Sequence, residues 1–168
     1  MGLGRRGFTL IEVLVAIVII SIMAGYSISH VAGNLPKWRA QGAANELVTM
    51  IQKARAVSIK KNKWVLFSLA GVNSPPNSTA SLYVDVNTSG TVDAGDDKVH
   101  FMGFEQRYKG SYVKSSVDGA AAAVTMVTLQ PDGTVKGNTM PIVITVGSTK
   151  DATTYAVWVE RSGIARLK

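Results

Sequence analysis

The sequence predicts an α+β fold in which one long N-terminal helix, its first half embedded in a membrane, packs by its second half against an antiparallel β-rich globular domain. Three observations carry this. Val13 to Ser29 runs without a charged side chain. Ala40, Ala43, Ala44, Leu47, Met50, Ile51, Ala54 and Val57 then recur at spacings of three and four, the pattern of one buried helical face. From Trp64 onward that period gives way to short runs rich in β-branched and aromatic residues, separated by Gly, Pro, Asn and Asp.

The apolar run is long enough for a helix to approach the span of a bilayer core of roughly 30 Å. Arg5 and Arg6 precede it, and Glu12 interrupts its entrance. A carboxylate so near hydrocarbon is costly without a partner, so Glu12 points to a function rather than to packing. Gly33-Asn34-Leu35-Pro36 is a local breaker and predicts a kink, because proline has no N–H to donate and glycine is entropically costly in a helix. Beyond it, Lys53, Arg55, Lys60 and Lys61 fall off the buried stripe.

Six runs read as strands: 64–69, 81–84, 99–102, 124–129, 140–146 and 155–159, for about six or seven strands in all. Residues 73–78, 131–133 and 147–148 carry turn chemistry between them. Antiparallel pairing follows, since no later helical segment is long enough for parallel crossovers. Ala120 to Ala123 fits either a brief helical turn or a loop. Trp38, Trp64 and Trp158 are expected to pack on the helix or in the sheet core.

The 168 residues, less a leader and the apolar segment, leave room for one core. With no cysteine, that core has no disulfide to lean on. Net charge is +7, and loss of Arg5 and Arg6 leaves +5. From Pro36 onward 16 basic residues face 10 acidic ones, a balance that favours polyanions and solubility alike. An enzyme is not expected. His30 and His100 are the only histidines, and Asp96 and Asp97 would point to opposite faces of a strand rather than work as a general acid and base.

Gly7-Phe8-Thr9-Leu10-Ile11-Glu12, behind a short basic leader, resembles the class III leader of type IV prepilins and type II secretion pseudopilins. The resemblance implies residues 1–7 as leader, 8–35 as transmembrane and assembly helix, and 36–168 as a globular pilin-like domain. It further implies cleavage by a prepilin peptidase between Gly7 and Phe8, and N-methylation of Phe8. In the family, the glutamate matching Glu12 pairs with the terminal amine of a neighbouring subunit during assembly. The expected place is the bacterial inner membrane, single-pass with the globular domain in the periplasm, and then a helical filament of pilins or pseudopilins.

The order of elements, the segment Leu129-Gln130-Pro131-Asp132-Gly133-Thr134 and the ending Ser162-Gly163-Ile164-Ala165-Arg166 look like the GspH/FimT branch of minor pilins. Two functions follow: a minor subunit of a type IV pilus, with DNA binding for natural transformation through Arg161, Arg166 and Lys168, or a GspH-like minor pseudopilin of type II secretion. Members that take up DNA carry Gly-Arg-x-Arg here, whereas Ile164 replaces the first arginine in this chain. Sequence-independent DNA binding needs several phosphate-neutralising charges, which Arg161 and Lys168 would supply beside Arg166.

No cofactor is required by this reading. Asp85, Asn87, Ser89, Gly90, Thr91, Asp93 and Asp96 nevertheless fall at positions 1, 3, 5, 6, 7, 9 and 12 of a calcium-loop pattern, with oxygen ligands alternating around a glycine turn. The same residues fit a polar hairpin held by Asx turns without an ion.

Overall fold

The computed structural model describes residues 8–137 and 139–168, the side chains of residues 28–30 apart. The leader, with Arg5, Arg6 and Gly7, and the side chain of His30 lie outside the described residues. The chain divides into two compact units, Met1–Leu35 and Pro36–Lys168.

The first unit is helical. α1 (Leu10–Lys61) starts there, and Thr9 caps it: the Glu12 N–H donates to the Thr9 carbonyl at 3.1 Å and to its hydroxyl at 3.3 Å. Ser or Thr followed three residues later by Glu is a helix-start pattern, and the carboxylate favours the positive end of the helix dipole. Leu10–Ser27 has a mean hydropathy of 2.3, and none of it is buried. Ser21 and Ser27 return their hydroxyls to the Ile17 and Met23 carbonyls at 2.8 and 2.9 Å, so they need no water to satisfy them. Gly33 and Pro36 do not end the helix; both lie within α1.

In the second unit, the rest of α1 buries the expected stripe. Ala40, Ala43, Ala44, Leu47, Met50, Ile51 and Ala54 are all fully or almost fully buried. Ala43, Ala44, Ala54 and the larger Leu47, Met50 and Ile51 join the strands' buried side chains in one core.

Among the described residues nine strands follow, more than the six or seven expected: β1 (Trp64–Ala70), β2 (Thr79–Asp85), β3 (Asp97–Gly103), β4 (Ser111–Val117), β5 (Met126–Leu129), β6 (Val135–Lys136), β7 (Ile142–Ser148), β8 (Thr154–Val159) and β9 (Ala165–Leu167). A four-residue helix, α2 (Phe104–Arg107), separates β3 from β4. Ala120 to Ala123 are not helical. Asp118 accepts the Ala120 and Ala122 N–H groups there, and Ala123 forms an isolated bridge to Val117.

The strands make two antiparallel sheets, ordered β3-β2-β1-β5-β6 and β4-β7-β8-β9. One core joins them to α1, with Phe67, Leu82, Leu129, Ile142, Ile144 and Val157 among its buried members. Hydrogen bonds stitch the sheets at their margins, among them two from strand amides. The Val113 N–H donates to the Ser78 hydroxyl at 3.1 Å, and the Val135 N–H donates to the Arg161 carbonyl at 2.9 Å.

None of the three tryptophans belongs to the fully buried core. Trp38 is exposed, and Trp64 and Trp158 are half-buried beneath the Lys136 and Lys168 ammonium groups, 3.8 and 3.9 Å from their ring centres. An indole has a polar edge and a face that attracts cations, so a sheet margin satisfies it better than a dry interior.

Candidate assembly and binding sites

The N-terminal candidates stand at the bare start of α1, Phe8 just before it and Glu12 in its first turn. Phe8 is 82% exposed and Leu10 86%, at the head of a continuous uncovered apolar stretch that is costly to leave in water. Glu12, exposed in the first turn, pairs with no cation among the described residues. Gly7, on the other side of the expected cleavage, lies outside the described residues.

At the other end of the chain, β9 brings two of the three basic candidates together. Arg166 stands opposite Trp158 in the register of β8 and β9, and is 3.9 Å from Glu160. Lys168 lies two residues on, on the same face, with its backbone N–H on the Ala156 carbonyl at 2.9 Å and its ammonium over the Trp158 ring. Arg161 sits in the turn between β8 and β9, its side chain exposed and its carbonyl tied to Val135. The result is a half-buried indole flanked by two cations on an outward sheet face.

The loop from Asp85 to Asp96 is closed by hydrogen bonds from its own backbone. Asp85 is fully buried, and its two oxygens accept the Ser89 and Gly90 N–H groups at 3.1 and 2.8 Å. Asp96 accepts from the Val86 and Asp93 N–H groups at 3.2 and 3.0 Å. Asp93 takes the Asn87 amide at 2.7 Å, the Ser89 hydroxyl at 3.2 Å and the Gly95 N–H at 2.9 Å, and these bonds hold its carboxyl below the usual carboxylate range. The Thr91 carbonyl, 2.9 Å away, competes with Asp93 for the single hydrogen of the Ser89 hydroxyl. Gly90 supplies the positive φ, +75°, that the turn requires. No group of three or more carboxylate or imidazole side chains converges on a point among the described residues. In this arrangement the loop fits a cation only if it first gives up some of these bonds.

Sequence reasoning missed a fourth cluster. Glu46 of α1, with 14% of its side chain exposed, accepts the Tyr108 hydroxyl at 2.8 Å and pairs with Arg107 at 2.7 Å; His100 of β3 lies 3.9 Å from the same carboxylate. Burial, and then the bond to Glu46, push the Tyr108 phenol above its ordinary range. Glu46 is separated from these partners by more than fifty residues, and only its polarity beside an apolar stripe hinted at them.

Known families match each of the two units. The family model described as the prokaryotic N-terminal methylation motif matches residues 3–28, and that described as type II transport protein GspH matches residues 43–163. Among curated proteins the chain is similar to the pilin-like protein PilA1 of Thermus thermophilus, 26% identical over 166 residues that cover 98% of this chain and 99% of that protein. Its fold is similar to that of the type IV minor pilin FimU of Pseudomonas aeruginosa, with a TM-score of 0.56 at 16% identity over 79% of this chain and 90% of that one. It is also similar to that of EpsH, the minor pseudopilin of the Vibrio cholerae type 2 secretion system, with a TM-score of 0.55 at 13% identity over 77% and 96%.

Proposed function

The chain belongs to the GspH family of type II transport proteins, and on that premise we propose that it is a minor pilin or pseudopilin freed of its leader between Gly7 and Phe8, methylated on Phe8 and built into a helical filament through residues 8–35. Pilins and pseudopilins are structural subunits rather than enzymes. The observation that carries the reading is the first unit itself: an uncovered apolar helix with one carboxylate in its opening turn.

In a bilayer such a helix is covered by lipid, which gives single-pass anchoring, and in a filament by like helices. Glu12 would be satisfied there by the new amino terminus of a neighbouring subunit. An unpaired carboxylate in that setting is costly, so pairing penalises every stagger that leaves Glu12 alone. The inner membrane of a bacterium, with the second unit in the periplasm and a prepilin peptidase as processing partner, is the setting this implies. Intact mass of the mature chain tests processing: it should begin at a methylated Phe8. A Glu12→Ala precursor should insert and be cleaved, yet be missing from sheared filaments. Normal incorporation would sink the proposed role.

The type IV pilus is preferred over the secretion pseudopilus for one reason, the basic face around Trp158. Arg161, Arg166 and Lys168 supply sequence-independent phosphate contacts around the Trp158 edge. Titration with duplex DNA at low and moderate salt tests this. Salt-sensitive binding lost in the triple alanine variant supports DNA uptake through a pilus, and no binding at low salt leaves the structural role alone. Calcium at the 85–96 loop rests on spacing only; a melting temperature equal in calcium and in chelator would remove it.

A further inference from the structure

The groove between α1, β3 and α2 on the second unit has no part in the assembly contacts above. It is open to solvent, with a volume of about 550 Å³. Its depth depends on Gly42, since a Cβ there would stand 2.8 Å from the Tyr108 ring. Glu46 at its floor is already engaged by Tyr108 and Arg107, which leaves it poorly placed to receive an incoming cation. What the groove still offers is positive. Arg107, 58% exposed, has guanidinium N–H groups beyond the one on Glu46, and Lys53 has no carboxylate partner among the described residues. His100 completes the rim.

We propose that this groove docks an aspartate or glutamate side chain of the neighbouring subunit in the filament, held between Arg107 and Lys53. The proposal rests on the filament reading. Exposed cations clamp weakly, and a free acid would have to offset its whole loss of translational freedom against that clamp. A neighbour already positioned by helix packing pays no such cost again, because tethering raises its effective concentration. Glu46 then acts as a positioning residue, fixing the Arg107 guanidinium so that its free edge faces the groove.

The test uses the full chain in cells that assemble filaments. Lys53→Glu should lower incorporation roughly three- to tenfold, the size of one exposed ion pair lost and reversed, while Lys53→Arg should incorporate normally. A photo-reactive residue at Thr49, on the groove wall, should crosslink to a subunit peptide containing Asp or Glu. Replacing that acid by Lys should restore the Lys53→Glu variant. Equal incorporation of Lys53→Glu and wild type, or a crosslink to a peptide without an acid, would overturn the proposal. So would saturable sub-millimolar binding of N-acetylglutamate to the detergent-solubilised chain, followed by the His100 ring resonances, which would make the occupant a free acid. Failure of the filament reading looks different, because wild type and Lys53→Arg would then also be missing from filaments.

Discussion

Gly163 turns its bare α-carbon onto the carbonyl oxygen of Gly133, leaving no room between them for a side chain. Both glycines hold a positive φ, +72° and +82°, and the Arg55 methylenes run across the two turns, 3.1 Å from a Cβ on Gly163 and 3.2 Å from one on Gly133. Two segments thirty residues apart in the chain are thus one contact in space. The contact closes the end of the β8–β9 hairpin, which carries Arg161, against the loop before β6.

Gly163→Ala should therefore cost more than backbone strain alone. Gly137 supplies the control, with φ +87° and nothing within 4 Å of an added Cβ. Gly137→Ala should cost about 1 kcal/mol, and Gly163→Ala roughly 2–4 kcal/mol, as the turn must also separate from Gly133. Thermal melting of the detergent-solubilised chain decides it, with Gly163→Ala lower than Gly137→Ala by several degrees.

Asp85→Ala should loosen the loop to Asp96, because the Gly90 N–H loses its side-chain acceptor, the Ser89 N–H keeps only the Asn87 oxygen at 3.0 Å, and a buried carboxylate that ties the turn is gone. A loss of about 2–3 kcal/mol is expected, with Asp85→Asn retaining part of it. Hydrogen exchange at the Ser89 and Gly90 amides should speed up in both variants and most in Asp85→Ala. Unchanged exchange would show that the carboxylate does not hold the turn.

Asp132 gives a pH test. The Thr134 N–H donates to it at 2.8 Å and the Thr134 hydroxyl at 2.7 Å, and these bonds lower its carboxyl from the ordinary value of 3.8. A folded-state value below the unfolded one means stability that is present above the ordinary aspartate range and lost as pH falls through the folded value. Wild type should melt above Asp132→Asn at neutral pH, and the gap should close as the solution is acidified below 3.8. A gap independent of pH would contradict this cause.

Tyr108 runs the opposite way. Its phenol is raised above 10.0, first by burial and then by donating to Glu46, so its contribution is complete below that ordinary value and is lost as pH rises through the folded one. Tyr108→Phe should cost about 1 kcal/mol at neutral pH. Spectroscopic titration of the phenols should lose a transition above 10.0 in that variant.

The helix was legible because its buried stripe repeats without exception from Ala40 to Ala54. β4 was not. Ser111, Ser116 and Lys114 dilute its apolar alternation, and a bulge between Val113 and Ser115 shifts the period midway, yet Ser111, Val113 and Ser116 are all buried. β6 and β9, of two and three residues, are too short to show a period and exist because neighbouring strands present open edges to them. Among site residues, Glu12 declared itself by breaking a local pattern. Glu46 did not, because what defines it is its distant partners Arg107 and Tyr108 rather than its neighbours in the chain.

The helix of residues 10–27 shows the same apolar surface whether lipid tails or other helices surround it. Exchanging one cover for the other removes almost no hydrocarbon from water, so the hydrophobic effect holds the segment in either place without choosing between them. Moving a subunit out of the membrane, or returning it, is then close to energetically neutral for most of the segment. The direction of travel is left to the few polar contacts that exist in only one of the two settings and to whatever work the assembly machinery supplies.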